Sequence, residues 1–367
     1  MKFEEMDINK NIVDILKKEN IVETTEIQKI SIPIIKDSRD VMAQSETGSG
    51  KTLAFAIPIV EGVEKGEGIQ ALILTPTREL ANQIEEEMKK IAGYKDLKIV
   101  NIHGGVPIAP QIKKLKTAEM VVGTPGRIID HMRRGTINFS NVKYMVIDEA
   151  DRMLDMGFID DVGRIIRQTP KERQTMLFSA TLPPEVKRLS ARYMKKPEVL
   201  HTNRMVDPKL LNQFYLESEG KEKMNVLAKL IKKEKPEKCL IFTNTRVQAD
   251  KVSKNLRLMG FSANVLHGGL NQARRDKIMA NFRNGRIRIL VATDVASRGL
   301  DVKEITHIFN YDVPGRAEDY IHRIGRTARA GKDGKAVTLL CRRDHAPFRR
   351  ILNKFNLPIK RLNRQNI

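Results

Sequence analysis

The fold of this chain is decided by one stretch, Ser45-Glu46-Thr47-Gly48-Ser49-Gly50-Lys51-Thr52. It fits the pattern of a phosphate-binding loop, except that Ser45 stands where the general pattern has its first glycine. The apolar segment Leu53–Val63 follows directly and is predicted to be a helix. A glycine-rich turn that opens a helix is typical of α/β folds that bind phosphate groups.

Each residue type in this loop has a chemical task. Gly48 and Gly50 let backbone N–H groups wrap phosphates, Lys51 reaches the β- and γ-phosphates, and the Thr52 hydroxyl coordinates Mg²⁺. The alternative is a Gly/Ser turn with an incidental lysine, which the intact Gly-Lys-Thr core before a helix disfavours. The loop residues predicted to bind nucleotide are Ser45, Glu46, Thr47, Gly48, Ser49, Gly50, Lys51 and Thr52.

A second motif lies in Tyr144–Asp151, an apolar run that ends in acidic residues. A buried strand here brings Asp148 beside the phosphate loop as a Mg²⁺ ligand, partly through water, and Glu149 is predicted to act as the general base toward the attacking water. By itself the segment also fits a strand followed by an acidic helix cap. The phosphate loop upstream favours the catalytic interpretation.

Short β-rich runs alternate with helical patterns along the whole chain, as in parallel sheets with helices on both faces. Amphipathic helices are expected at 78–91 and 248–259, and apolar residues at 348, 351, 352 and 355 predict a last helix. Strands are predicted at 71–74, 98–102, 120–122, 144–147, 175–178, 213–217, 239–243, 263–266, 287–291, 307–310 and 336–340.

Three pairs of segments repeat in the same order at nearly one offset. Leu72–Arg78 resembles Leu240–Arg246, His103-Gly104-Gly105 recurs as His267-Gly268-Gly269, and Val121–Thr124 resembles Leu290–Thr293. Each is a strand that runs into a polar turn. The sequence therefore predicts two copies of one α/β unit, with these turns at the carboxyl ends of the sheets, where open α/β folds bind ligands.

Length and charge agree with two domains of ordinary size. The chain has 367 residues, more than one hydrophobic core usually serves. Residues 206–367 hold 34 Lys and Arg against 16 Asp and Glu, an excess that is typical of proteins that bind polyanions. We expect domains at 1–204 and 210–367, joined by a short linker at 205–209.

The composition also excludes several classes of protein. No apolar run approaches the ~18 residues of a membrane helix, so no membrane association is expected. Cys239 and Cys341 are too few for a disulfide framework or a zinc site, which predicts a reducing, cytoplasmic location. Aromatic residues make up only 5%, so nucleic acid would be held by phosphate and sugar rather than by base stacking.

Taken together, the motifs resemble those of the DEAD-box RNA helicase family, and they occur in the same order from about residue 3 to about residue 340. The resemblance implies two tandem RecA-like domains, with ATP and Mg²⁺ in the cleft between them and RNA across both. The matching segments are Gln28, 51–52, 76–81, 124–127, 148–151, 179–181, 292–294, 298–301 and 322–327.

The resemblance also implies roles for single residues. Gln28 would bind the adenine edge, and Asp301 would hold the ribose from the second domain. Arg326 and Arg329 would be arginine fingers that neutralise charge on the γ-phosphoryl group.

Ser179, Thr181 and His322 would couple hydrolysis to domain closure. The residues implied to contact RNA are Thr77, Arg78, Gly105, Thr124, Gly126, Arg127, Thr245, Gly268, Gln272, Arg275 and Thr293.

The chain departs from the family pattern in two segments. Where the family has Gly-aromatic-x-x-Pro-Thr before the glutamine, this chain has Asn20-Ile21-Val22-Glu23-Thr24-Thr25. Ile21 stands where the family has an aromatic residue, which removes a stacking face for adenine and weakens the expectation of base selectivity. Ala328 replaces the customary glycine between the two arginines.

The sequence thus predicts an enzyme: a monomeric, ATP-dependent RNA helicase that locally unwinds or remodels RNA duplexes and RNA–protein complexes. Two alternatives stay open. The chain could be an ATP-switched RNA clamp without productive turnover, although the intact Glu149, Arg326 and Arg329 argue against this. It could also be a DNA helicase, because charge alone does not distinguish RNA from DNA.

Overall fold

The structure is a computed structural model that describes residues 1–45, 48–202, 210–220, 222–294, 305–328, 333–355 and 357–363. The chain divides into two compact units, Met1–Asn203 and Arg204–Ile367. The linker predicted at 205–209 lies outside the described residues. Among the residues that the structure describes, no helix combines the length and apolar character needed to cross a membrane.

The first unit is built on a seven-stranded sheet whose described neighbours all pair in parallel. The strands cross the sheet in the order β3-β4-β2-β5-β6-β1-β7. Their bounds are β1 (Val41–Gln44), β2 (Ala71–Leu74), β3 (Ile99–Ile102), β4 (Met120–Gly123), β5 (Tyr144–Asp148), β6 (Gln174–Ser179) and β7 (Glu198–His201).

Helices cover both faces of this sheet because successive strand residues enter different apolar cores. In β2, Ala71 and Ile73 belong to one core, whereas Leu72 and Leu74 belong to the other. The helices are α1 (Lys10–Lys18), α2 (Glu26–Lys36), α3 (Lys51–Gly62), α4 (Arg78–Ala92), α5 (Ala109–Leu115), α6 (Pro125–Arg133), α7 (Ala150–Asp155), α8 (Ile159–Ile166) and α9 (Pro184–Tyr193).

The second unit has the same construction. Its strands are β8 (Leu211–Glu217), β9 (Cys239–Thr243), β10 (Ala263–Leu266), β11 (Ile289–Thr293), β12 (His307–Asn310), β13 (Gly334–Leu340) and β14 (Ile359–Arg361). The helices within its described residues are α10 (Lys223–Glu234), α11 (Arg246–Leu258), α12 (Gln272–Arg283), α13 (Ala317–Ile324) and α14 (His345–Phe355). The sheet order is β10-β11-β9-β12-β13-β8-β14, again with parallel pairing throughout the described strands.

The two sheet orders correspond strand by strand, which confirms the prediction of two copies of one α/β unit. The repeated sequence segments occupy equivalent positions: one pair at the ends of β2 and β9, another after β3 and β10, and the third at β4 and β11. Since all strands in each sheet run the same way, the turns that follow them gather at one edge of each sheet.

The predicted strands and the amphipathic last helix are present, with ends shifted by a residue or two. In α14, Phe348 and Ile351 are buried in the core of the second unit. The sequence missed β1, β7 and β14. Strand β7 is half-buried to exposed along its length, and β14 carries exposed Lys360 and Arg361, so neither local sequence shows an apolar strand pattern.

Candidate functional site

The phosphate loop leads from β1 directly into α3. The Ser45 N–H donates to the Ser179 carbonyl oxygen at 2.8 Å, so the loop begins against the end of β6. Gly50, the residue before α3, has φ 86°, a left-handed conformation that glycine adopts without steric cost. Glu46 and Thr47 lie outside the described residues.

Lys51 is the first residue of α3, and only 6% of its surface is exposed. Its Nζ donates to the Ser45 carbonyl oxygen at 3.0 Å, across the mouth of the loop. An ammonium group carries three donors. The Lys51 side chain is therefore held over the loop with capacity to donate to a ligand.

Gln28, on α2, is almost fully buried and contacts the phosphate loop. Its Oε1 accepts from the Thr25 N–H at 2.8 Å, and its Nε2 donates to the Gly50 carbonyl oxygen at 3.0 Å. A Cβ at Gly50 would collide with the Gln28 amide. Glycine thus suits this position both because Gln28 approaches closely and because the backbone is left-handed.

Asp148 and Glu149 end β5 at the same edge of the sheet. Burial raises the pKa of Asp148 to about 6, against the lowering effect of the Lys51 charge. Its Oδ1 accepts from the Glu149 N–H at 2.9 Å. Glu149 has φ 53°, a left-handed conformation that is rare for a residue with a side chain, and its Oε2 accepts from Arg152 Nη1 at 3.2 Å.

The RNA-contact residues predicted in the first unit lie on three neighbouring turns, after β2, β3 and β4. Thr77 caps α4, its Oγ1 accepting from the Leu80 N–H at 3.3 Å. The Arg78 guanidinium lies against Gly105, where a Cβ would collide with it. Thr124 and Gly126 stand at the start of α6, and the Arg127 guanidinium donates to the Val106 carbonyl oxygen at 3.1 Å.

The corresponding residues of the second unit follow β9, β10 and β11. Thr245 caps α11 as Thr77 caps α4, accepting from the Gln248 N–H at 3.1 Å. Gly268 packs near the Arg246 guanidinium, as Gly105 packs on Arg78. Gln272 and Arg275 lie in the first turn of α12, and Thr293 ends β11. Each unit therefore gathers its own predicted RNA-contact residues at one edge of its sheet.

Two family models match the chain. The DEAD/DEAH box helicase model covers residues 25–189, and the helicase conserved C-terminal domain covers residues 222–331.

Among similar proteins, the DEAD-box ATP-dependent RNA helicase CshA of Geobacillus kaustophilus is 44% identical over 346 residues, which are 93% of this chain and 74% of that protein. A probable ATP-dependent RNA helicase of Methanocaldococcus jannaschii is 44% identical over 363 residues, 99% of this chain and 98% of its own length. The chain belongs to the DEAD-box ATP-dependent RNA helicases.

The structure of S. cerevisiae Dbp5 bound to RNA and ADP BeF3 is similar to this helicase, with a TM-score of 0.91 at 29% identity. The match covers 98% of this chain and 95% of that one. The two parallel sheets are the tandem RecA-like domains expected from the sequence.

Asp151 lies within the acidic motif that the sequence predicted, but the sequence assigned it no role of its own. Its Oδ2 accepts from both the N–H and the hydroxyl of Thr181, each at 2.9 Å, and its own N–H donates to Ser179 Oγ at 3.0 Å. Asp151 is buried and lies three residues beyond Asp148. It links the acidic motif after β5 to the two hydroxyl residues implied to couple hydrolysis to closure.

A second such residue is Arg323, on α13, which is 1% exposed. Its guanidinium donates to both carboxylate oxygens of Asp294, at 2.6 and 2.7 Å, and to Asn244 Oδ1 at 3.0 Å. It also donates to the Asp312 carbonyl oxygen at 2.6 Å. Arg323 therefore joins the segments that follow β9, β11 and β12, and the motif spacing alone could not distinguish it from the neighbouring arginine, Arg326.

The predicted nucleotide contacts of the second unit are described only in part. Arg326 follows α13 and is 4% exposed, whereas His322 lies within α13 and is half-buried. Asp301 and Arg329 lie outside the described residues. Ala328 replaces the family's glycine and has φ 54°. Glycine suits this position because it adopts such a left-handed conformation without steric cost.

Proposed function

We propose that this helicase hydrolyses ATP with the residues of its first-unit phosphate loop and acidic motif, completed by residues of its second unit. Glu149 would accept a proton from the water that attacks the γ-phosphorus, while the bond from that phosphorus to the β-γ bridging oxygen breaks. Arg326 and Arg329 would neutralise charge on the transferred group, and Asp301 would hold the ribose. The products are ADP and phosphate.

The main support for this proposal is that charged side chains are buried together just after β1 and at the end of β5. Lys51 and Asp148 are each less than a tenth exposed, and the Lys51 charge acts on the Asp148 carboxyl. Glu149 follows in a strained backbone conformation, of the kind that clusters at functional sites. A structural ion pair would not require such strain.

Mg²⁺ is part of the proposal because the donors fit it. Asp148 supplies a buried carboxylate at the end of β5, and Thr52 supplies a hydroxyl in the first turn of α3. These oxygen ligands are the kind that Mg²⁺ prefers, usually together with waters and substrate phosphates. When bound, the ion would neutralise charge on the β- and γ-phosphates.

Gln28 would read the adenine edge while its amide stays bonded to the phosphate loop. Its contact with the Gly50 carbonyl uses one of the two amide hydrogens, and the other remains free for a ligand by the valence of the group. Ser179 and Thr181, which bond to Asp151, would couple ATP hydrolysis to domain closure. His322 would take part in the same coupling from the second unit.

RNA would run along the turns at the carboxyl edges of both sheets, and its recognition would be largely independent of sequence. The proposed contacts are helix N-termini, glycines, hydroxyls and arginines, which suit phosphates and sugars. Affinity should therefore fall with salt and vary less than about tenfold between RNA sequences of one length. A monomeric state and a cytoplasmic location, both predicted from the sequence, complete the proposal.

A multiple-turnover ATPase assay with RNA, with DNA of the same sequence, or with neither tests the proposal. We expect RNA to stimulate turnover and DNA to do so weakly or not at all. Equal stimulation by DNA would favour the DNA helicase alternative. Nucleotide-dependent RNA binding without turnover would favour the RNA clamp.

A further inference from the structure

One buried amide joins two of the three turns of the first unit that carry proposed RNA contacts, those after β3 and β4. Gln111, on α5, is 6% exposed. Its Oε1 accepts from Arg127 Nη1 at 3.2 Å and from His131 Nε2 at 3.1 Å, and its Nε2 donates to the His103 carbonyl oxygen at 3.0 Å. Because the amide oxygen faces two donors and the NH₂ faces a carbonyl, each amide atom matches its partners.

His131 supports this amide from the interior of the unit. It is fully buried on α6, and its Nδ1 lies 2.8 Å from Thr136 Oγ1. Burial and the nearby Arg127 charge lower the pKa of His131, so the ring is neutral near pH 7. Because the Gln111 amide oxygen can only accept, this contact assigns the ring proton to Nε2.

The Arg127 guanidinium connects the start of α6 to the loop after β3 by hydrogen bonds. Only 13% of the side chain is exposed, and it donates both to Gln111 and to the Val106 carbonyl oxygen, at 3.1 Å. The α6 N-terminus is thereby fixed to the turn after β3 that contains Gly105. The first N–H groups of a helix have no partner inside it. Apart from the neighbouring backbone of α6, no described atom lies within 4 Å of a Cβ placed on Gly126, so the helix N-terminus has room for a phosphate.

We propose that Gln111 and His131 are positioning residues for RNA binding, which act through Arg127. They hold the α6 N-terminus and the turn after β3 in one arrangement before RNA arrives, so that less ordering is required on binding. The inference rests on the proposed RNA contacts of the first unit. It adds two residues that lie beneath that surface.

The variant Gln111→Met tests this inference in the full chain, because methionine fills the same volume without hydrogen bonds. We expect nucleotide-free affinity for single-stranded RNA to fall about tenfold, and the KM for RNA in the ATPase assay to rise equally. The kcat at saturating RNA and the ATP affinity without RNA should stay within twofold. The reason is that α5 packs on β3, an edge strand, whereas the phosphate loop follows β1 on the other side of the sheet.

Gln174→Met is the matched control. Gln174 is 7% exposed and donates to the carbonyl oxygens of Ile35 and Arg39, at 2.9 and 2.6 Å. Gln174 is the first residue of β6, so it lies at the amino-terminal ends of the strands, away from the turns that carry the proposed RNA contacts. The Gln174→Met variant should lower thermal stability through the loss of these two hydrogen bonds, while leaving RNA affinity unchanged.

A double-mutant cycle with Arg127→Met tests whether Gln111 affects RNA binding through Arg127. If Gln111 acts through Arg127, the double variant should bind RNA no more weakly than Arg127→Met alone. If Gln111→Met does not fold, His131→Phe carries the test, with an expected loss of about threefold in RNA affinity.

The possible results separate this inference from the function on which it rests. Failure of the unaltered chain to bind RNA would overturn both. Unchanged RNA affinity in folded Gln111→Met, or losses that add in the double variant, would overturn the positioning role alone.

Discussion

At the scale of single residues, backbone conformation and side-chain contact are coupled at the phosphate loop and the acidic motif. Glu149 adopts a left-handed conformation, φ 53°, although it carries a side chain, and Gly50 lies directly beneath the Gln28 amide. Strain of this kind costs about 1–3 kcal/mol and persists where the surroundings hold it in place. In Glu149 the hydrogen bond from Arg152 supplies part of that constraint.

Glu149→Gln should keep nucleotide binding and lose turnover. The amide has the shape of the carboxylate and can still accept from Arg152, but it cannot take a proton from water, and loss of a general base typically costs about 10²–10⁴-fold in rate. Steady-state kcat with RNA and a separate nucleotide titration measure the two effects. Glu185→Gln, which alters an exposed i,i+3 pair with Arg188, is the control. Near-normal turnover in Glu149→Gln would contradict the assignment.

Gly50→Ala should weaken nucleotide affinity by more than its backbone strain explains. The added Cβ displaces the Gln28 amide, which is proposed to read adenine. Gly66→Ala is the control, because Gly66 has the same φ of 86° but no described atom within 4 Å of a Cβ. Each substitution should cost about 1–2 kcal/mol of stability from the left-handed conformation. Equal nucleotide affinities in the two variants would show that the Gln28 contact is irrelevant.

At the scale of elements, β8 and α10 are the counterparts of β1 and α3. The Ser218 N–H donates to the Leu340 carbonyl oxygen at 2.8 Å, as Ser45 donates to Ser179, and each following helix begins at a buried lysine. The lysines differ in their partners. Lys223 Nζ donates to Asp344 Oδ2 at 2.9 Å, so a carboxylate of the chain itself neutralises the lysine of the second unit.

Asp344→Asn should destabilise the second unit. Breaking a buried ion pair leaves Lys223, 3% exposed, with Asp312 3.8 Å away, and such losses cost about 3–5 kcal/mol. Burial opposes ionisation of Asp344, but its bonds to Cys341 and Lys223 outweigh this and lower its pKa. The stabilisation is therefore present above the ordinary aspartate pKa and lost as pH falls through the lowered value.

Denaturant unfolding at pH 7 and at lower pH measures this effect. The exposed pair of Glu217 and Arg361 supplies the control, because Glu217→Gln should change stability by less than about 1 kcal/mol. If Asp344→Asn and Glu217→Gln unfold alike at pH 7, the buried pair does not anchor α10.

At the scale of the whole molecule, each unit carries part of the machinery proposed for one reaction. Lys51, Asp148 and Glu149 belong to the first unit, and Arg326 belongs to the second. Proposed RNA contacts occur in both. ATP and RNA are therefore expected to favour the same closed state of the two units.

Linkage then requires that RNA tighten ATP binding by the factor by which ATP tightens RNA binding, commonly about 5–150-fold. Titrations of the full chain with each ligand, in the presence and absence of the other, measure both factors. Arg326→Ala should leave nucleotide-free RNA binding unchanged while reducing RNA-stimulated turnover. ATP and RNA that bind independently of each other would contradict the shared closed state.

The sequence by itself determined the fold class and the residues for which the chemistry is proposed. Apolar strand patterns, the glycine-rich loop and the acids after a strand are local signals, because strand alternation and helix starts depend on neighbouring residues. For this reason the repeat of the two units, the place of Lys51 before a helix, and the place of Asp148 and Glu149 after a strand could be predicted. Strand β14 could not be predicted, because two of its three residues are the exposed Lys360 and Arg361.

Only the tertiary structure decided which buried side chains meet. The bonds of Asp151 to Thr181, of Arg323 to Asp294 and of Lys223 to Asp344 join residues 29 to 121 positions apart. Nothing in the local sequence marks such pairs, because a buried polar group bonds to whatever the packing brings within about 3 Å. Gln111 is the clearest case: an ordinary glutamine on a short helix becomes the centre of a network only once the turn after β3 and helix α6 pack against it.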